Sequence, residues 1–236
     1  MQKAPITEIR TVAGTFVAVQ EFESWNERMF LSYGNDRLYF HENLLVRRIQ
    51  AKRIKAILRF LDIHPSDHLL DAGCGEGYLF TKSPACARQV GADISPSALK
   101  IAAERNRWAE WVRCDLHNMP FPNGTFDKIC CSEVIEHLLD PVALLHELHR
   151  VMRPNGRLVI TIPNERTINR LKDAILSTAW GRRAFPKIPR RTEWHLTEYT
   201  PKLLLAQLQA LFYVERTKVL PMPWLHLGYG VLCRAK

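Results

Sequence analysis

From Glu42 to Leu61 the apolar residues Leu45, Ile49, Ile54, Ile57, Leu58 and Leu61 recur at helical spacing, with basic residues between them. That pattern predicts a helix, ended by Pro65. Short apolar runs then follow: HLLDAGC (68–74), RQVGAD (88–93), EWVRCD (110–115), FDKICCS (126–132) and RLVITIP (157–163) read as strands. Between them, SPSALKIAAERN (95–106) reads as a helix with Ser95 as N-cap and Pro96 at its first position, and PVALLHELHRVM (141–152) as a helix stopped at RPNG. Strands alternating with helices predict parallel pairing through right-handed crossovers, hence an α/β doubly wound sheet. Thr200 and Pro201 open a last helix to about Leu211, followed by YVERTKVL and GYGVLCRA with a short Pro-rich connection. No crossover helix fits there, so this pair is predicted antiparallel.

Residues 1–41 show no clean periodicity, although Phe22, Trp25, Phe30, Tyr33, Tyr39 and Phe40 are scattered through them. Residues 1–60 are read as an N-terminal helical cap over a pocket, with Trp25, Tyr33 and Tyr39 touching a ligand there. The main domain is read as 61–236.

Composition narrows the class. The chain has 236 residues, 47% hydrophobic and 24% charged, which suits one large soluble domain. No apolar run approaches the roughly 20 residues that span a bilayer, and MQKAPITEIR lacks the apolar core of a signal peptide. The expected compartment is the cytoplasm. Cysteines 74, 86, 114, 130, 131 and 233 show neither CxxC nor zinc spacing and read as reduced, structural residues.

The net charge of +9 is concentrated in two clusters. One is Arg47, Arg48, Lys52, Arg53, Lys55 and Arg59; the other runs from Arg166 through Arg170, Lys172, Arg182, Arg183 and Lys187 to Arg190 and Arg191. Such patches attract nucleic acid, anionic lipid or an acidic substrate, or stand as solvated faces.

Candidate chemistry begins with Gly73, Gly75 and Gly77 directly after the first strand of the sheet, where glycines let the backbone turn tightly and approach a ligand. Asp93 follows 20 residues after Gly73 at the next strand end, where an acid binds ribose hydroxyls. With DAGCGEG (71–77), GADIS (91–95), CDLHNMPFPNGTFD (114–127) and Gly156 before RLVITIPN in this order, the chain resembles a class I S-adenosylmethionine-dependent methyltransferase of the type 11 and ubiquinone-pathway kind. The resemblance covers roughly residues 50–236. It implies a Rossmann-like seven-stranded sheet, mostly parallel with an antiparallel last strand, flanked by helices. It also implies that Asp71 and Gly73 hold the amino-acid end of S-adenosylmethionine, with Gly75 beside the sulfonium. Asp93 with Ile94 would take the ribose, and Asp115 with Leu116 would frame adenine.

SEVIEHLLDP (132–141) starts where the fourth strand ends, beside the transfer chemistry. If the stretch is helical, Glu133, Glu136 and His137 share one face. An oxygen or nitrogen acceptor must lose a proton, which calls for a base or a metal. Ubiquinone-pathway O-methyltransferases carry a similar stretch. So do small-RNA 3′-terminal 2′-O-methyltransferases, and that likeness implies a Mg²⁺ or Mn²⁺ site made of Glu133, Glu136, His137 and His195. Alternatives are His137 acting as a base, with Glu133 beside it, and plain helix-start acids with a satisfied histidine. The expected function is O-methylation of a small-molecule or lipid-like acceptor. Its rivals are a metal-dependent RNA 2′-O-methyltransferase and a non-catalytic cofactor-binding protein. The basic insertion 164–194 could cap the pocket, lie on a membrane surface or grip RNA; with no RNA-binding module in the chain, nucleic acid is the less favoured partner.

Overall fold

The computed structural model describes residues 8–33, 44–184, 194–222 and 225–236. Tyr39, Lys187, Arg190, Arg191 and the tip of the Pro-rich connection lie outside them. The N-terminal segment opens not as a helix but as a small antiparallel hairpin of β1 (Glu8–Arg10) and β2 (Phe16–Ala18). Helix α1 (Phe22–Tyr33) follows, and α2 (Leu44–Leu61) matches the apolar stripe read from the sequence.

The main sheet contains β3 (His68–Ala72), β4 (Arg88–Asp93), β5 (Glu110–Arg113), β6 (Phe126–Ser132), β7 (Met152–Pro163), β8 (Phe212–Met222) and β9 (Leu225–Ala235). Their order is β5-β4-β3-β6-β7-β9-β8, with β9 running antiparallel to both neighbours and the other pairs parallel. Connections run outward from β3 on one side and from β6 on the other. The β3–β6 boundary is therefore the switch point, beyond whose carboxyl ends a ligand binds.

Strand alternation divides the core. Leu69, Cys130, Val159 and Leu232 face α2, where Ile54, Ile57 and Leu61 are buried. Leu70, Ile129, Cys131, Leu158 and Ile160 face the opposite layer. There they join Leu144 and Leu148 of α4 (Pro141–Val151) and Leu204 and Leu208 of α7 (Pro201–Leu211). Helix α2 is thus a flanking helix of the sheet, because its apolar stripe is buried there, at about 1.5–3 kcal/mol per fully buried side chain.

Capping fixes where the other helices start. Ser95 Oγ accepts the Ala98 amide at the head of α3 (Pro96–Arg105), Asp140 accepts from Val142 and Ala143 in α4, and Thr200 accepts from Leu203 in α7. After β7, α5 (Glu165–Ser177) and α6 (Ala179–Ala184) form the described part of the basic insertion. No described helix is long and apolar enough to cross a membrane.

Candidate functional site

At the carboxyl end of β3 the chain turns through Gly73, Gly75 and Gly77 with φ of +75°, +49° and +70°. These are left-handed conformations that glycine adopts freely. At Gly73 a side chain is also excluded by space, since an added Cβ would stand 2.4 Å from Val134 Cγ2. Asp93, at the end of β4, holds this loop. Its Oδ2 accepts the Gly75 amide at 2.8 Å and its Oδ1 accepts the Ser95 amide at 2.9 Å. Burial raises the Asp93 pKa, and the backbone amides oppose that rise. Each of its oxygens keeps a lone pair for a further donor.

Beyond β5, the Asp115 carboxylate accepts from His117 Nδ1 at 2.6 Å, and that hydrogen bond holds its pKa below the usual value against the effect of burial. Asp71 is different. Burial pushes its carboxyl up to about 7, with the Cys130 thiol opposing and the Asp93 charge adding. It borders a recess of about 40 Å³ behind the loop, shared with Glu76 and Cys130.

The principal cavity, about 250 Å³, is lined at one end by Gly73, Gly75, Asp93, Ile94, Asp115 and Leu116. At the other end stand Arg53, Glu133, Glu136, His137, Trp194 and His195, with Phe22, Asn26 and Phe30 of α1 also in the wall. Six of the seven sequence-derived cofactor residues therefore meet here, and Asp71 stands in the adjoining recess.

SEVIEHLLDP does not start a long helix. Glu133 has φ +58°, and Ile135–His137 is a single 3-10 turn before α4. Glu133 is therefore off the helical face expected from its spacing. Its carboxylate pairs with Arg53 Nη2 at 3.2 Å and accepts from Thr161 Oγ1 at 3.5 Å. Arg53 also donates to Ser132 Oγ at 2.8 Å, so α2 reaches across the end of β6 into the cavity.

Glu136 is 1% exposed, and neither carboxylate oxygen has a hydrogen-bond partner among the described residues. Burial raises its pKa well above the usual value, and the charge of Glu133 adds to that. His137 Nδ1 donates to the Trp194 carbonyl at 2.9 Å, which leaves Nε2 with the lone pair. Burial first, then the charge of His195, lowers the His137 pKa to about 3, so the ring is neutral near pH 7.

The His195 ring lies 4.7 Å from that of His137, and its Nδ1 pairs with the Glu165 carboxylate. Ligand atoms of Glu136, His137 and His195 all lie within 4.8 Å of one another, a group that does not include Glu133. Main-chain bonds gather the cluster. Leu196 and Thr197 amides donate to the Glu136 carbonyl at 2.8 and 3.1 Å, and the Val12 amide donates to the His195 carbonyl at 2.8 Å.

Helix α1 closes the wall from above. Trp194 Nε1 donates to Asn26 Oδ1 at 3.0 Å, while Ser95 Oγ donates to Glu27 at 2.5 Å. Trp25, expected from sequence as a ligand contact, is instead buried in the core, its ring centroid 5.9 Å from that of Phe22. Arg53, Asn26, Glu165 and Trp194 were not singled out as site residues by the sequence reading. Arg53 sat unmarked within a basic cluster, and Glu165 opens a helix where an acid is unremarkable.

A methyltransferase-domain family model matches residues 70–160. An uncharacterised 37.1 kDa protein of a Streptomyces fradiae transposon is 31% identical over 172 residues, 69% of this chain and 50% of that one. The malonyl-[acyl-carrier protein] O-methyltransferase of Serratia marcescens is 33% identical over 112 residues, 47% of this chain and 44% of that one. The chain thus spans about half the length of these relatives. In structure it is similar to the N-methyltransferase NodS of Bradyrhizobium japonicum in complex with S-adenosyl-L-homocysteine. That likeness has a TM-score of 0.64 and 18% identity, covering 91% of this chain and 98% of NodS. The chain thus carries, over residues 70–160, a methyltransferase domain, and its strand order, glycine loop and strand-end acids are those that the resemblance to class I S-adenosylmethionine-dependent methyltransferases implies.

Proposed function

We propose that the chain transfers the methyl group of S-adenosylmethionine to an oxygen of a small-molecule or lipid-like acceptor. The observation that carries this reading is one cavity joining the glycine loop and strand-end acids to the Glu136, His137 and His195 cluster. The cofactor fits the residues present. Gly73 and Gly75 leave the loop without side chains, Asp93 retains lone pairs for ribose hydroxyls, and Leu116 supplies an apolar surface beside Asp115 for a base. When bound, it supplies a methyl group already activated on a positive sulfur.

The chain's own work is then alignment and proton handling. Neutral His137 offers Nε2 as a hydrogen-bond acceptor that aims an acceptor O–H. With its pKa at about 3 the ring does not keep the proton, which passes to solvent, while Phe22, Phe30 and Trp194 flank an apolar or planar acceptor. The O-methyltransferase named among the relatives supports an oxygen acceptor. Calorimetry with S-adenosylhomocysteine, followed by radiolabelled methyl transfer to panels of phenols, hydroxy acids and acyl carriers, tests the reading. Absence of cofactor binding would reject it.

A second reading adds a divalent cation, Mg²⁺ or Mn²⁺, held by Glu136, His137 and His195. Its support is a fully buried carboxylate without a hydrogen-bond partner beside two imidazoles. The cation would lower the pKa of an acceptor hydroxyl. A terminal RNA ribose belongs to this reading and predicts salt-sensitive transfer. Unchanged acceptor turnover after chelation would remove it.

The exposed Leu171 and Trp180, beside Arg170, Arg182 and Arg183, support a surface contact with anionic lipid that would deliver a lipid-like acceptor. Cosedimentation with phosphatidylglycerol vesicles but not phosphatidylcholine ones is the expected result.

A further inference from the structure

The two imidazoles of the cluster both have Nδ1 next to an oxygen, through a hydrogen bond at His137 and an ion-pair contact at His195. His137 has its Nδ1–H taken by a main-chain carbonyl, and His195 has its Nδ1 against a carboxylate, that of Glu165. In both rings this leaves Nε2 as the nitrogen free to receive a proton, a hydroxyl or a cation. Resting on the reading that this cluster prepares the acceptor, we infer that Glu165 is a positioning residue, whose carboxylate fixes His195 in the Nδ1–H tautomer.

The bland account of Glu165 is a first-turn acid favoured by the dipole of α5, whose N-cap is Asn164. An acid serving only the dipole would avoid the cost of desolvation by staying exposed. Glu165 is instead 7% exposed and turned inward. Its second oxygen is occupied by Asn169 Nδ2 at 3.2 Å, from one turn further along the helix. The backbone that carries the facing ring is held as well, since the His195 carbonyl accepts the Val12 amide at 2.8 Å. A carboxylate held by its own helix thus meets an imidazole whose main chain is anchored, and the carboxylate is the group placed to set the ring's orientation. Such partners of a working imidazole set its tautomer and aim.

The test uses the full chain labelled with ¹⁵N, in which side-chain ¹H–¹⁵N correlation spectra report the tautomer of each histidine. Wild type is expected to show His195 as Nδ1–H. Glu165→Gln keeps that state, because an amide oxygen still accepts the bond. Glu165→Ala releases the ring toward Nε2–H, the form that free histidine favours in water. In parallel, Mn²⁺ affinity read by electron paramagnetic resonance is expected to fall about 10–100-fold in the Ala variant and to stay near wild type in the Gln variant. An Nε2–H tautomer in wild type, or no difference between the Ala variant and wild type, would overturn the inference. The wild-type spectrum decides this even if a variant misfolds. Failure of wild type to bind Mn²⁺ would remove the cation reading, while the tautomer result would still decide the role of Glu165.

Discussion

The two ends of the cavity are built by different means. The cofactor end comes from three short pieces of chain that each leave the carboxyl end of a strand: the loop at 73–77, Asp93 with Ile94, and Asp115 with Leu116. Its geometry is local, set by left-handed glycines and amide-to-carboxylate bonds. The acceptor end is assembled from α1, α2, the turn after β6, the start of α5 and the segment before α7, and depends on tertiary packing. The first end is a loop whose backbone is set by its glycines and by Asp93. The second is a set of polar side chains that each need a partner from elsewhere in the chain.

Substitutions should therefore separate the ends, and the largest effect belongs to the cofactor loop. Gly73→Ala puts a Cβ against Val134 and forces a left-handed alanine. The backbone contributes about 1–2 kcal/mol and the overpacking about 1–3 kcal/mol. Loss of measurable S-adenosylhomocysteine binding with a lower melting temperature is expected by calorimetry and thermal melts. A smaller effect follows from Asp93→Asn, which can no longer accept both the Gly75 and Ser95 amides. At about 1.5–3 kcal/mol for a charged hydrogen bond, cofactor affinity should fall about tenfold to a hundredfold.

Protonation acts with opposite signs at Asp71, in the recess behind the cofactor loop, and at His137, in the cavity. The Asp71 carboxyl is raised from 3.8 to about 7 in the folded chain, so the unfolded chain releases its proton first. Its contribution to stability falls as pH rises from about 4 to 7. The His137 ring is lowered from 6.5 to about 3, so the unfolded chain takes up a proton first and stability falls as pH drops through that window. Each slope is about 1.4 kcal/mol per pH unit. Denaturant melts across pH should show Asp71→Asn gaining on wild type as pH rises, and His137→Asn gaining as pH falls. The smallest expected effect is Asn26→Ala, which loses the bond from Trp194 and costs about 0.5–1.5 kcal/mol in stability with cofactor affinity unchanged.

The same contrast decides what could be read from the chain alone. Buried strands and capped helices depend on near neighbours, and FDKICCS, RQVGAD and the Ser95 and Thr200 starts are where their local chemistry puts them. The cofactor loop is legible for the same reason. Hairpin β1–β2 carries no pattern long enough to announce it. The turn after β6 departs from helix because Glu133 takes a left-handed φ while its amide still bonds to Thr161 of β7, a constraint that spacing cannot express. His195 is legible only through the likeness to the small-RNA methyltransferases, whereas Glu165, Asn26 and Arg53 acquire meaning only once the fold brings them to the site. Aromatic character alone does not place Trp25, because α1 turns Phe22, Asn26 and Phe30 toward the cavity and Trp25 into the core.

One end of the cavity is thus assigned to the cofactor and the other to preparing the acceptor. Titration calorimetry with S-adenosylhomocysteine on wild type, Asp93→Asn and His137→Asn tests it most directly. Wild type and His137→Asn should bind with similar affinity, and Asp93→Asn at least about tenfold more weakly. Equal weakening by both substitutions, or full affinity in Asp93→Asn, would contradict it.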